Sequence, residues 1–406
     1  MKWISDIHTC GVNENWADRL REFLNIEPSF SSDLRDVVEC LRNGDQLSFD
    51  QGLRLWNHPN LNEVAHLANM CKIARYGNHV FFNSNLHVNQ TNICTLACKF
   101  CAFRRGPKAN DAYALDAEDF IERITPFEHI IDELHTVGGL HPDWDVTYYE
   151  HLFGSIKSRF PDLHIKSLSA VEIKHIAEMS GIAPRALLSR LQTAGLDSLP
   201  GGGAEILDDD VRDIICYGKE TSDEYIAIHR AAHSIGMPTN CTMLFGTIET
   251  PEQRISHLCR LRDLQDETNG FQCFVPYPYL PDNSRLPEAQ LASANEVLRV
   301  IAISRLMLDN IPHIKAYRMN IGDWLSEMAL HHGADDFDGT VGHEEIMHEA
   351  GSDVIVGYSK SELMKFIRDA KGIPVQRNSI YTKFQRFDDD DHRSSISLPL
   401  TTNAGD

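Results

Sequence analysis

Three cysteines lie close together in the segment TNICTLACKFCAFRR. Cys94, Cys98 and Cys101 have the spacing C-x3-C-x2-C and come directly after a predicted strand. Three thiolates in one loop can bind a 4Fe–4S cluster and leave its fourth iron open to another ligand. A ferredoxin-type electron carrier would close that position with a fourth cysteine nearby, but the next cysteine is Cys216. The spacing therefore predicts a cluster with one open iron.

Besides three unrelated core cysteines, two other interpretations of the three thiols remain. A zinc site usually takes four protein ligands, often in C-x2-C pairs. The gap of three residues between Cys94 and Cys98 does not follow that pattern, although His87 could serve as a fourth ligand. A non-catalytic electron carrier or metal-binding scaffold is the second alternative.

The octapeptide CTLACKFC resembles the C-x3-C-x-aromatic-C signature of the radical S-adenosylmethionine (SAM) superfamily, with Phe100 as the aromatic residue. The resemblance implies that the three cysteines hold a 4Fe–4S cluster and that SAM binds to its open iron as a co-substrate. It also implies that Phe100 lies near the adenine. An injected electron would then break a carbon–sulfur bond of SAM and release a 5′-deoxyadenosyl radical, so the cofactors carry the difficult chemistry.

Strand-like and helix-like segments alternate through residues 81–387. Because they never separate into blocks, they predict an α/β fold of the (β/α)8 TIM-barrel type, as the superfamily resemblance also implies. Residues 1–80 are predicted to form an N-terminal helical extension, and residues 388–406, which begin with four aspartates, an acidic disordered tail. The predicted strands are Leu86–Thr91, His129–Val137, His164–Ser169, Ser198–Pro200, Thr239–Phe245, Phe271–Val275, His313–Tyr317 and Phe337–Val341.

Glycines, polar residues and aromatic residues follow these strands, at the barrel end where active sites collect. Glycines let the backbone approach a ligand closely, and a guanidinium suits a carboxylate. In this superfamily a glycine pair after the second strand meets the methionine part of SAM, and a segment after the fifth flanks the adenine. The SAM-binding candidates are Gly138, Gly139, Ser169, Glu172, Gly246 and Glu249. The substrate-binding candidates are His141, Gly202, Glu205, Asn240, Tyr277, Arg318 and Asp336.

Several of these candidates also have a purely structural interpretation. The glycine pair could form a tight turn without a ligand. Glu172 could be an exposed carboxylate at the start of a helix, where the helix dipole favours it. Tyr277 could cap the core, and Arg318 could lie at the surface.

Longer segments of the chain resemble the aminofutalosine synthase family of the futalosine route to menaquinone. They include FNSNLHVNQTNICTLACKFCAF, HTVGGLHPDW, HIKSLSAVEI and GADDFDGTV, within roughly residues 34–387. Dehypoxanthine futalosine cyclases and deazaflavin (FO) synthase subunits are similar too, and VGGLHP favours the synthases over the cyclases. The resemblance implies that the 5′-deoxyadenosyl radical adds to 3-[(1-carboxyvinyl)oxy]benzoate. Aryl migration and loss of a carboxylate would then give 6-amino-6-deoxyfutalosine.

The same resemblance implies two partners, an enolpyruvyl benzoate substrate and an electron donor such as flavodoxin or ferredoxin. Two substrate carboxylates would call for cationic or amide anchors, and we expect Arg318, His141 and Asn240 to serve. Arg318 stands where the family pattern leads us to expect a tryptophan, so the family's contacts at this point do not transfer.

Charge and hydropathy exclude several other classes of function. The 59 acidic and 38 basic residues give a formal charge of −21, which would repel nucleic acid and anionic membranes. No segment approaches the roughly 18 apolar residues needed to cross a bilayer, and the first ten residues lack the apolar core of a signal peptide. We therefore expect a cytoplasmic enzyme that binds neither nucleic acid nor membrane, with cysteines present as thiols or metal ligands.

Overall fold

The computed structural model describes residues 13–26 and 30–387. The predicted acidic tail at 388–406 lies outside the described residues. Within the described part, helices precede the first strand, and Ser48 starts one of them with a capping box in which Ser48 and Gln51 satisfy each other's backbone N–H groups. These helices are α1 (Trp16–Ile26), α2 (Arg35–Asn43), α3 (Phe49–Asn57) and α4 (Leu61–Tyr76).

Parallel strands then form a barrel. The first barrel strand is bent into two halves, β1 (His79–Phe82) and β2 (Asn85–His87). The remaining barrel strands are β3 (Glu133–Thr136), β4 (His164–Ser167), β5 (Thr239–Phe245), β6 (Phe271–Pro278), β7 (His313–Ala316) and β8 (Asp336–Phe337).

Two irregular segments complete the barrel. Between β4 and β5, residues 198 and 199 make single parallel bridges to Lys166 and Thr239. At the closing seam β1 pairs with β8, and the N–H group of Gly342 donates to the carbonyl of Asn85 in β2 (3.1 Å). These bridges join the two sheets into a ring of eight strand positions.

A short pair of strands lies beside β1, at the end of the barrel where the strands begin. β9 (Ile373–Arg377) runs parallel to β1, and β10 (Phe384–Arg386) runs antiparallel to β9. β9 also brings a buried arginine, Arg377, to the inside of the fold. The pair therefore supplies a charge to the bottom of the barrel that the eight barrel strands do not contain.

The helices that connect the strands begin at well-formed caps. Asp116, Thr221, Thr250 and Ser359 each form a capping box with an acidic or glutamine residue three positions later, which is why the helices start where they do. No helix of the described residues has the length and apolar character that a membrane crossing requires. The helices are α5 (Ala117–Ile124), α6 (Val146–Arg159), α7 (Ala170–Ser180), α8 (Pro184–Ala194), α9 (Asp209–Ile215), α10 (Ser222–Ser234), α11 (Pro251–Thr268), α12 (Ala294–Met307), α13 (Arg318–Ala329), α14 (Ile346–Glu349) and α15 (Lys360–Asp369).

The predicted α/β barrel is confirmed, with differences in the strands. The prediction Thr239–Phe245 matches β5. A strand was predicted at Ser198–Pro200, but that segment makes only isolated bridges. β1, β9 and β10 were not predicted, since each has only three to five residues and so short a segment carries little periodicity. The prediction placed the first barrel strand at residues 86–91, whereas β2 ends at His87.

Candidate active site

Side chains at alternate strand positions line a cavity of about 180 Å³ inside the barrel. Successive side chains of a strand point to opposite faces, so residues two apart share the inner face. Most of the lining residues carry polar or charged groups, which is unusual for the interior of a protein. They include Asn85, His87, Asn89, Glu133, His135, Lys166, Gly202, Asn240, Thr242, Tyr277, Lys315, Tyr317, Asp338 and Glu344.

Ion pairs occupy the lower level of the barrel, toward the start of the strands. Lys166 donates to Glu133 at 2.7 Å. Arg377 donates to both carboxylate oxygens of Asp336, at 2.7 and 2.8 Å, and Lys315 Nζ lies 3.2 Å from the same carboxylate. Burial alone would raise the pKa of Asp336, but Arg377 and Lys315 lower it to about 2.

A histidine and carboxylate network lies above this level. His87 Nδ1 donates to Glu344 Oε2 at 2.8 Å, and the hydroxyl of Tyr317 donates to the same oxygen at 3.2 Å. The ring of His135 lies 4.5 Å from the ring of His87, centre to centre. Burial and the neighbouring His87 lower the pKa of His135 to about 3, so His135 is neutral near pH 7.

Some buried polar atoms along the cavity have no partner in the protein. The side-chain oxygens Oδ1 of Asn89, Asn240 and Asp338 make no hydrogen bond within the described residues, although these residues are almost fully buried. Buried polar atoms normally find a partner, because an unpaired one costs free energy. The cavity is therefore equipped to take a polar ligand.

The loop with the three cysteines is fastened to the end of the barrel where the strands finish. The N–H group of Lys99 donates to the carbonyl of Ile215 at 2.7 Å. Arg285 Nη2, from the segment after β6, donates to the carbonyl of Cys98 at 3.2 Å, and within the loop Arg104 Nε donates to the carbonyl of Leu96 at 2.9 Å. These bonds fix the loop over the barrel.

A second cavity, of about 140 Å³, lies between this loop and the barrel interior. Lys219 donates to Glu205 at 2.5 Å, and its ammonium lies 5.8 Å from the centre of the Phe100 ring. The two cavities share Tyr277, Ile346 and Met347 in their linings, so they lie next to each other. The second cavity is lined by Phe100, Cys101, Ala102, Glu205, Leu244, Tyr277, Pro278, Tyr279, Leu280, Asn320, Ile346, Met347 and Ala350.

The three thiols fit a cluster better than a single ion. Within residues 13–26 and 30–387, no three His, Cys, Asp or Glu side chains converge as ligands of one metal ion do. Ligands of a 4Fe–4S cluster bind different irons and need not converge. Burial raises the pKa of Cys98 and Cys101, while Lys219 acts in the opposite direction on Cys98. The zinc alternative loses its fourth ligand, because His87 lines the cavity inside the barrel and none of the three cysteines does.

Comparison with known proteins decides the family. Residues 88–261 match the sequence profile of the Radical SAM superfamily, and residues 268–389 match the CofH/MqnC C-terminal region. The aminodeoxyfutalosine synthase of Thermus thermophilus is 38% identical over 357 residues, which cover 87% of this chain and 96% of that protein. The chain belongs to the radical SAM superfamily. Enzymes of this superfamily bind a 4Fe–4S cluster and SAM, and the prediction of both is confirmed at the level of the family.

Two further relatives are named for other reactions. The cyclic dehypoxanthine futalosine synthase of Streptomyces coelicolor is 34% identical, over 88% of this chain and 90% of that protein. A 5-amino-6-(D-ribitylamino)uracil--L-tyrosine 4-hydroxyphenyl transferase of Methanothermobacter thermautotrophicus is 38% identical, over 78% of this chain and 88% of that protein. Among solved structures, the FeFe-hydrogenase maturase HydG from Carboxydothermus hydrogenoformans has a TM-score of 0.68 at 16% identity. The alignment covers 91% of this chain and 85% of the HydG chain, so the two proteins share the radical SAM fold.

Some of the predicted site residues do lie together. Gly202, Asn240 and Tyr277 line the cavity in the barrel. Phe100 and Glu205 line the second cavity, beside Cys101 and Tyr277.

Ser169, Glu172 and Glu249 have all their carboxylate or hydroxyl groups engaged within the protein. Glu172 accepts from the N–H of Gly138 (3.0 Å) and, at its other oxygen, from the N–H and hydroxyl of Ser169 (2.7 and 2.6 Å). Glu249 accepts from the N–H of Gly246 (2.6 Å) in the same way. Glu172 is therefore a buried capping carboxylate, not an exposed one, and these residues shape their loops.

His141, Arg318 and Asp336 do not line either cavity. His141 stacks on Trp144, with ring centres 4.3 Å apart. Arg318 is buried against the Tyr358 ring, and Asp336 is held by Arg377. The structure thus places all three side chains outside the two cavities, and protein groups already contact Arg318 and Asp336.

Lys166, Lys315, His135 and Glu344 line the cavity but were not predicted to bind substrate. Lys166 and Lys315 lie inside strands that were predicted, and lysine is rarely buried, so neither was assigned to the interior. The two-residue strand period could have identified both, because Lys315 and Tyr317 share one face. No pattern in the sequence pointed to Glu344, which reaches the cavity from a loop.

Proposed function

We propose that this radical SAM enzyme is an aminodeoxyfutalosine synthase that joins the nucleoside of SAM to 3-[(1-carboxyvinyl)oxy]benzoate. The carbon–sulfur bond of SAM would break with release of methionine, and C5′ of the nucleoside would form a carbon–carbon bond with the enol ether. The aryl group would then migrate, and one carboxyl group would leave as carbon dioxide, with the electron that started the reaction returned to the cluster. The observation that carries this proposal is the 38% identity to a synthase over 96% of that relative's length. The cavity supports it, because its buried cations and amides suit a small dianionic substrate.

In this proposal Cys94, Cys98 and Cys101 hold the cluster. When bound, the cluster supplies the electron that breaks a carbon–sulfur bond of SAM. Phe100 and the second cavity would receive the nucleoside between the cysteine loop and the barrel. Glu172 keeps the N–H group of Gly138 in place, and the next residue, Gly139, packs against Ile93 and Cys94 at the start of that loop.

The chain's other residues bind, orient and exclude water. The polar groups of the cavity lie within a closed ring of strands, which keeps bulk water from a reactive substrate. The bond between His87 and Glu344 and the Tyr317 hydroxyl hold one wall rigid. His135 stays neutral, so it acts as a hydrogen-bonding group rather than as a charge.

A small electron-transfer protein such as flavodoxin or ferredoxin would deliver the electron. Thr95 and Ala97, in the cysteine loop, are exposed, so the loop reaches the surface where such a donor can dock. The donor need only contact the loop, because an electron can cross a short distance to the cluster without the donor entering the barrel.

The test is anaerobic reconstitution with iron and sulfide, followed by reduction with SAM and 3-[(1-carboxyvinyl)oxy]benzoate. We expect mass spectrometry to find a product that retains adenine. Stoichiometric release of 5′-deoxyadenosine would instead favour the cyclase, and a formed cluster that never cleaves SAM would favour an electron carrier. Cys98→Ala should abolish turnover, whereas Cys259→Ala, in helix α11, should not.

The tyrosine transferase relative requires a separate comparison. The same enzyme is incubated with L-tyrosine and 5-amino-6-(D-ribitylamino)uracil in place of the benzoate. We expect no joined product. A joined product there, together with none from the benzoate, would replace the proposed function with that of the transferase.

A further inference from the structure

The floor of the barrel contains more cations than carboxylates. We define the floor by Glu133, Lys166, Lys315, Asp336 and Arg377, all of which are buried. Its ion pairs join Lys166 to Glu133, and both Lys315 and Arg377 to Asp336. Three cations and two carboxylates leave one positive charge without a counter-ion. An uncompensated buried charge is costly, so the floor favours an anion from outside.

The excess charge faces the cavity. Lys166 lies on β4 and Lys315 on β7, and both line the cavity. In the ring of eight strand positions these two strands are four positions apart, so the two lysines approach from opposite walls. An anion in the cavity would therefore lie between two ammonium groups.

Lys315 is the freer of the two lysines. Arg377 already donates to both oxygens of Asp336, and the hydroxyl of Tyr381 donates to Oδ2 at 3.0 Å. The Lys315 ammonium lies 3.2 Å from Oδ1 of that carboxylate, which has three closer donors, whereas Lys166 is 2.7 Å from Glu133. Lys315 thus keeps N–H donors that have no acceptor among the described residues.

The other acidic groups around the cavity have partners of their own. Glu344 accepts from His87 at 2.8 Å. Asp338 Oδ2 accepts from the N–H of Met319 at 2.9 Å, and the positive charges that act on Asp338 are Arg318 and, less strongly, Lys315. Among the described residues neither Glu344 nor Asp338 forms an ion pair with Lys166 or Lys315, whose ion-pair partners are Glu133 and Asp336, so both lysines remain open to an anion at the floor.

We propose that Lys315, with Lys166 opposite it, forms a carboxylate-binding subsite at the floor of the cavity. This inference rests on the proposed function for the identity of the substrate, 3-[(1-carboxyvinyl)oxy]benzoate. A carboxylate bound at the floor directs the rest of the molecule upward, toward Tyr277 and the second cavity. The reacting double bond would then face the cysteine loop.

The test measures binding without turnover. The holoenzyme with SAM and no reductant is titrated anaerobically with 3-[(1-carboxyvinyl)oxy]benzoate, and separately with benzoate as a simpler anionic probe. We expect Lys315→Met to raise the Kd for the substrate about 10- to 100-fold, the usual range for a lost hydrogen bond to a charged group. Lys315→Arg should retain binding. Lys365→Met, an exposed lysine on α15, is the matched control and should leave the Kd unchanged.

A diester of the substrate separates charge recognition from packing. Lys315→Met should change the Kd of the diester by less than about twofold, because the ester offers no anion to the lysine. An unchanged Kd for the dianion in Lys315→Met, or an equal loss for the diester, would overturn the subsite. If Lys315→Met does not fold, loss of binding in folded Lys315→Arg would overturn it as well.

The subsite and the proposed function fail separately. Lys315-dependent binding of benzoate, with no turnover of the enolpyruvyl substrate by the wild type, would retain the subsite and reject the function. Turnover by the wild type, together with a substrate Kd that is the same in Lys315→Met as in the wild type, would retain the function and reject the subsite.

Discussion

Gly139 and Ile93 lie backbone to backbone, so close that a Cβ atom on Gly139 would be 2.1 Å from the carbonyl oxygen of Ile93 and 3.0 Å from the Cβ of Cys94. No rotation of a side chain can relieve the first overlap, because both groups belong to the backbone. The loop after β3 thus supports the first residue of the cysteine loop directly. Glycine is required here for packing against the cluster loop, whatever else binds to it.

Gly139→Ala should therefore displace the cysteine loop. Overpacking a rigid site costs about 1 to 3 kcal/mol, and this overlap is at the severe end. A destabilisation of this size should leave the variant with less than about half of the iron and sulfide per chain that the wild type holds after reconstitution. The absorbance of the cluster should be weaker as well. Gly106→Ala is the control, since no atom lies within 4 Å of its added Cβ. Equal iron content in the two variants would contradict the prediction.

Glu172→Gln should destabilise the fold around the SAM-binding candidates. The carboxylate accepts from Gly138, from Ser169 and, at 2.6 Å, from Gln90 Nε2. Glutamine would replace one of the two acceptor oxygens with an NH2 group, which cannot accept a hydrogen bond from these donors. We expect the free energy of unfolding in urea to fall by about 2 to 3 kcal/mol, the cost of leaving buried groups unpaired.

The matched control for this change is Glu178→Gln, because Glu178 lies on the same helix and is exposed. It should change stability by less than about 0.5 kcal/mol. If both variants unfold at the same urea concentration, the four bonds to Glu172 do not contribute as described.

Arg318→Met should lower stability without weakening substrate binding. Arg318 is fully buried, donates to the carbonyl of Ile355 at 3.1 Å and lies 4.1 Å above the Tyr358 ring. Its loss should cost about 1 to 3 kcal/mol, since cation–π and charged hydrogen bonds have this size when buried. The Kd for the enolpyruvyl benzoate should stay near the wild-type value. A rise as large as that of Lys315→Met would restore Arg318 as a substrate anchor.

The contrast between Arg318 and Lys315 shows what the sequence could and could not predict. Both come near the end of the seventh strand, which was predicted correctly within a residue. The sequence does not tell where the strand stops and the helix begins, and Arg318 opens α13 and turns away from the cavity. Lys315 keeps its inward position because it is two residues before Tyr317 on the same face.

Local patterns and long-range partners differ in the same way elsewhere. The cysteine spacing and the alternation of strands and helices are local, and they were sufficient to predict the cluster loop and the barrel. Asp336 was expected to bind substrate, but its partner Arg377 comes from β9, a strand that lies 41 residues later in the chain. No local pattern can reveal such a pairing. Glu344 and His87 are separated still further along the chain.

The last prediction concerns pH and a buried histidine of helix α11. His257 Nδ1 accepts from the N–H of Leu207 at 3.0 Å, and Nε2 donates to the carbonyl of Thr242 at 2.9 Å. A proton on Nδ1 would face the N–H of Leu207, and burial opposes the charge as well. Burial is the main cause that lowers the pKa of His257 to about 3.

This shift has a definite sign for stability. The unfolded chain protonates this histidine near pH 6.5, whereas the folded chain does not until about pH 3, so its contribution is complete above pH 6.5 and is lost as the pH falls. Each unit corresponds to about 1.4 kcal/mol, so unfolding free energies measured from pH 7 to pH 4 should decline. His257→Gln should flatten that decline by about 1 to 3 kcal/mol, because glutamine can donate and accept at the same two sites without titrating. His331→Gln, at an exposed position, should follow the wild-type slope. If the unfolding free energies of the wild type and both variants declined equally with falling pH, His257 would be protonated in the folded enzyme. It could then not accept the hydrogen bond from Leu207.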